Sequence, residues 1–180
     1  MIAAATIAFA MLLATAPAPA APDPVSLEAG LAGRWQGTLG YRDYQSDKLQ
    51  EIPMATRIEA LPDNATIIRI SSFDDGPKVG NVYITTATLF DSKAGTAASV
   101  TLRRGRPLEP QTEHVRVINH SDPAHWTITY EADGTDDDKP ARLRTTQVRD
   151  GDLLTATKEV QPTGSTTWQF RNRSRLTRLP

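Results

Sequence analysis

The chain has 180 residues, no cysteine, and 20 lysines and arginines against 21 aspartates and glutamates, for a formal net charge of −1. Without cysteine there is no disulfide framework, no thiolate nucleophile and no lipid-bearing cysteine, so burial alone must stabilise the fold. Balanced charge gives no long-range attraction to nucleic acid or to anionic membranes, and neither is expected as a partner.

Residues 2–16 are uncharged and largely apolar, with Ile7, Phe9, Met11, Leu12 and Leu13, and small residues follow at Ala18 and Ala20. The run is short of the roughly 20 residues a membrane span needs. Apolar core plus A-x-A end reads as a secretory signal peptide over residues 1–20, with cleavage after Ala20. The expected location is therefore the periplasm or the exterior, with no stable membrane span after cleavage. Residues 21–32 form a leader with one helical turn, Ser26 to Ala32, in which Ser26 is the expected cap and Gly30 or Gly33 the stop.

From residue 33 to 180 the pattern is all-β. Short stretches rich in Thr, Val, Ile and aromatics are expected as strands at 34–44, 52–60, 66–72, 81–90, 97–103, 112–119, 125–131, 141–148, 152–160 and 167–178. Turn residues separate them, as in Leu61-Pro-Asp-Asn64, Asp74-Asp-Gly-Pro77, Ser92-Lys-Ala-Gly95 and Arg149-Asp-Gly-Asp152, where Asp150-Gly151 suits a type I′ hairpin. About ten strands without intervening helices make one antiparallel meander. Several alternate: Trp126, Ile128 and Tyr130 share one face, and Trp168 and Phe170 share a face opposite Gln169, Arg171 and Arg173. A closed barrel and a two-sheet sandwich both satisfy that alternation.

The opening of the first strand favours the barrel. Gly33-Arg-Trp35 follows the helical turn, and the last strand ends Arg171-Asn-Arg173-Ser-Arg175-Leu-Thr-Arg178. This resembles the Gly-x-Trp signature of lipocalins and their calycin relatives, and implies a single lipocalin-like barrel. The resemblance implies that Gly33 lets the chain turn into the strand, that Trp35 closes the narrow end, and that an arginine of the last strand, Arg173 or Arg178, packs across the indole. The longer string from Gly33 to Tyr44, with Phe170-Arg-Asn-Arg173, also resembles a group of bacterial exported proteins of unknown function, and implies no activity.

Chemical motifs are few. His114, His120 and His125 are spread over a strand, a loop and the next strand start, which suits surface positions better than metal ligation. Asp133-Gly-Thr-Asp-Asp-Asp138 has Asp at the sixth place and Arg144 at the twelfth, where a calcium loop needs Gly and Glu. A solvated hairpin tip is expected there. The arginines at 171, 173 and 175 recur at period two and are expected on an outer face, because Trp168 and Phe170 are expected inside. No nucleophile motif is present, so no catalytic residue, metal or cofactor is assigned. The expected function is binding of a small, mainly apolar molecule inside the barrel, lined by Tyr41, Trp126, Tyr130, Trp168 and Phe170. An envelope interaction protein with a packed barrel, and an enzyme using a cavity Asp (Asp43) or His, are the alternatives.

Overall fold

The computed structural model describes residues 22–42 and 48–180. The expected signal peptide, and Asp43 and Tyr44 at the end of the expected first strand, lie outside the described residues. The chain forms α1 (Pro24–Ala29), then β1 (Gly33–Arg42), β2 (Leu49–Ala60), β3 (Thr66–Asp74), β4 (Asn81–Asp91) and β5 (Thr96–Arg103). β6 (Glu109–Asp122), β7 (His125–Asp136), β8 (Lys139–Asp150), β9 (Leu153–Pro162) and β10 (Gln169–Arg178) complete it. Every strand pairs antiparallel with its sequence neighbour, and β10 returns to β1 to close the ring. The sandwich alternative is thereby excluded. Closure leaves no unpaired strand edge, which a cysteine-free chain manages by hydrogen bonding alone.

Two local expectations are corrected. The helical turn begins two residues earlier than its assigned cap: Asp23, not Ser26, accepts from the Val25 amide, and Pro24 supplies the preset φ of the first helical position. The β8–β9 turn has Gly151 and Asp152 at its centre, and only Gly151 has positive φ, so it is not type I′. The type I′ pattern belongs instead to Asp137-Asp138, both left-handed, at the tip joining β7 to β8. Aspartate tolerates that conformation, and the acidic run is the hairpin tip its composition indicated.

Register fixes which side chains look inward. Trp35 stands opposite Thr56 and Arg178, so alternate residues of β1, β2 and β10 counted from these share the interior. The buried core is gathered at one end. There α1 lies across the barrel, and Leu27 and Leu31 join Trp35, Ile58, Phe90 and Trp126. The other end, carrying the β1–β2, β3–β4, β5–β6, β7–β8 and β9–β10 connections, has no such plug among the described residues.

Candidate functional site

The closed end is built where the segment from α1 to the start of β1 meets the end of β10. Gly33 has φ +134°, a conformation glycine adopts freely, and a side chain there would press on the Arg178 guanidinium. Trp35 is 1 % exposed, and its Nε1 donates to the Leu31 carbonyl at 2.8 Å. Arg178 lies over the indole, 5.3 Å from the ring centroid, and donates through Nη1 to the Gly30 carbonyl and through Nη2 to the Ala32 carbonyl. Of the two arginines, Arg178 is the one that packs on the indole. Arg173 stands opposite Gly40 and Thr157, on the outward side of β10. Arg149, which no motif in the sequence singles out, also donates through Nη1 to Gly30 O (3.1 Å) and to Pro123 O (3.0 Å). Two cations thus satisfy carbonyls at the end of a short helix, where the dipole favours positive charge.

Above this floor sits a buried polar cluster centred on Glu28, which is 2 % exposed. Its carboxylate receives the Tyr130 hydroxyl at 2.5 Å, an Arg69 Nη2 at 2.5 Å and the Gln147 amide. A buried carboxylate persists only when so fully partnered. Burial, followed by the neighbouring Glu28 charge, pushes the Tyr130 hydroxyl pKa well above its ordinary value, so it acts as a fixed donor. Burial alone would lower the Arg69 pKa; the charge of Glu28 and its hydrogen bond outweigh it and hold the guanidinium ionised. The cluster borders a cavity of about 140 Å3 whose lining also includes Thr88, Glu113 and Thr145.

Beyond the cluster the barrel opens into a cup with two unlike walls. Leu39, Ile52, Met54, Phe73, Val82 and Ile84 face inward from β1 to β4, yet each is only partly buried. On the far wall Gln111, Glu113, Lys158, Asn172 and Ser174 face inward from β6, β9 and β10. A ring of ten strands is wider than the eight that side chains just fill, which leaves this half of the interior unplugged. At the rim a further hollow of about 710 Å3 lies between the β7–β8 tip, Ala141, Pro162 and Arg171. Arg171 donates to both Asp136 oxygens across it, and that hydrogen bonding holds the Asp136 carboxyl below its usual pKa.

The expected lining residues are distributed unevenly. Trp126 is buried in the closed-end core, with Nε1 bonded to Pro123 O, and Tyr130 belongs to the Glu28 cluster. Tyr41 occupies an inward register position near the open end and is 37 % exposed. Trp168 precedes β10 on the outer surface, where Arg144 stacks on it at 4.0 Å and Arg142 approaches at 5.6 Å. Phe170 stands opposite Glu159, whose carboxylate holds Arg144 on the same outer face. The reason is a bulge at Arg171, which breaks the alternation between Phe170 and Asn172. Arg173 and Arg175 are outward as expected, but Arg171 does not share their regular spacing. His114 stands outward opposite Glu131, His120 is in β6 and not in a loop, and His125 bonds Asp122 at the β6–β7 turn.

Glu113 yields a pH test. Burial raises its pKa above the ordinary carboxyl value, and the Lys158 charge only partly offsets this. Below that ordinary value both folded and unfolded chains hold the proton, and the penalty is absent. As pH rises through the interval up to the folded pKa, the unfolded chain ionises first and stability falls. Urea unfolding of wild type and Glu113→Gln at pH 4 and pH 7 should show the variant gaining relative to wild type at the higher pH. An equal difference at both values would contradict this account.

No protein-family model matches the chain, and no curated protein matches it. Among solved structures it is similar to the crystal structure of Rv2717c from M. tuberculosis, at 16% identity and a TM-score of 0.58, over 86% of this chain and 98% of that one. At this identity the likeness is one of fold.

Proposed function

We propose that this ten-stranded barrel binds a small amphipathic molecule in its open half. The apolar body lies against Ile52, Met54, Phe73 and Ile84, and the polar head is turned toward Glu113, Lys158 and Asn172. The observation that carries the reading is the two-walled cup: apolar side chains that face the interior yet stay partly exposed. Inward apolar residues at the plugged end are fully buried, so the difference lies in the space and not in the strands. The mainly apolar ligand read from the sequence is thus replaced by one with a distinct polar end. Closure by Gly33, Trp35 and Arg178 supports a lipocalin-like assignment within the barrel class. The uncharged apolar run before Pro17 supports export to the periplasm.

The test uses anilinonaphthalene sulfonate, an amphipathic fluorophore. Wild type should bind one equivalent saturably, and Ile52→Glu and Phe73→Glu should each weaken binding about tenfold or more. Absence of saturable binding, or binding indifferent to both substitutions, would overturn the proposal.

A further inference from the structure

The outer surface of the barrel is as asymmetric as its interior. Around β7 to β10 it is densely charged: Glu131 with Arg142, Arg144 with Glu159, and Arg173 and Arg175. Across β3, β4 and β5 the outward residues Ile68 to Ser72, Tyr83 to Leu89 and Ala98 to Leu102, taken alternately, include no charge at all. Tyr83 is 60 % exposed and Leu89 54 %, with Leu102 and Ile70 also open. Isolated exposed hydrophobics are ordinary, but a contiguous uncharged sheet face is not.

The face has relief. Along its middle, β4 presents the small residues Thr85 and Ala87. Ile70 and Leu102 flank Thr85, and Ile68 and Val100 flank Ala87. A shallow trough therefore runs over β4 between two aliphatic ridges, with Tyr83 and Leu89 at its ends. Pro110 and Thr112 of β6 continue the uncharged surface on one side. On the other, Arg57 and Glu59 of β2 border it and pair with each other.

We infer that this face is where two copies of the chain associate, the ridge of each lying in the trough of the other. The same patch meets itself in a two-fold dimer, so a face without charge brings no like charges together, which the arginine-rich wall across the barrel would do. The uncharged stretches of the four strands, three to seven residues each on strands about 4.8 Å apart, give a footprint of roughly 300 Å2. Such a patch can serve as the charge-depleted centre of an interface, which totals about 800 Å2 per partner once its polar rim is included. Arg57, Glu59, Asp74, Asp91 and His114 supply such a rim. Sheet faces pack in this way about 10 Å apart inside sandwich domains.

Sedimentation equilibrium on the full chain at roughly 50 µM reads this directly. Wild type should sediment at twice its 19.6 kDa mass. Tyr83→Glu and Leu102→Glu should sediment as monomers with unchanged far-ultraviolet circular dichroism, while Arg175→Glu on the opposite wall should remain dimeric. If either variant misfolds, hydrogen exchange on wild type decides, since amides of β4 should lose protection on dilution below the dimer midpoint. A monomeric wild type overturns the inference, including the case in which residues 1–21 of the same chain cover the face. So does a dimer that survives both substitutions.

Discussion

Glu28→Ala is expected to destabilise the barrel by about 3–5 kcal/mol, the range for breaking a buried ion pair by removing one partner. For a chain of this size that corresponds to a midpoint lower by roughly 10 °C. The loss comes from what remains: Arg69 keeps its charge at the foot of the cup, and Tyr130 and Gln147 lose their shared acceptor. Glu28→Gln should cost less, because an acceptor stays in place. The double replacement Glu28→Leu with Arg69→Met should recover much of the deficit, since no charge is left unpaired. Urea unfolding measures all three. A loss below about 1 kcal/mol for Glu28→Ala would mean that α1 is seated by its apolar residues alone.

The second large effect is at the closure. Trp35→Ala should cost about 3–5 kcal/mol, since it empties a fully buried indole site. Arg178→Ala removes both bonds to the carbonyls of Gly30 and Ala32, at about 1–3 kcal/mol. The double variant should fall short of the sum by roughly 1 kcal/mol, the coupling of guanidinium and ring. Arg173→Ala, outward on the same strand, should stay within about 0.5 kcal/mol of wild type. Strict additivity of Trp35 and Arg178, or an Arg173 effect as large as that of Arg178, would refute the closure as described.

Strand number, the meander and the Gly33–Trp35 opening were legible because turn residues and alternation are local signals. Facing was less so, since alternation says which residues share a side and not which side is inside. Ile68 and Ile70 make a natural core stripe on paper, yet they point outward and Arg69 points in. Trp168 and Phe170 likewise make an inward pair by alternation, and the bulge at Arg171 that turns them outward has no signature in the string. Glu28 did have one: it sits beside Leu27 and one turn before Leu31 on the buried side of α1, where a carboxylate is out of place. Its partners, 41 to 119 residues away, could not be named from one sequence.

Those separations set the order in which the protein assembles. The plug precedes the strands in sequence, yet after Arg69, 41 residues on, its anchors arrive late: Tyr130 is 102 residues on, Gln147 119 and Arg178 148. Hairpins from β2 to β9 form from neighbours, but joining β1 to β10 and seating the helix must wait for the final residues. Contacts this distant make folding slow, and the ordering entropy is recovered only when the ring shuts. Until Arg178 is in place, the first strand remains an open edge and the plug has no socket.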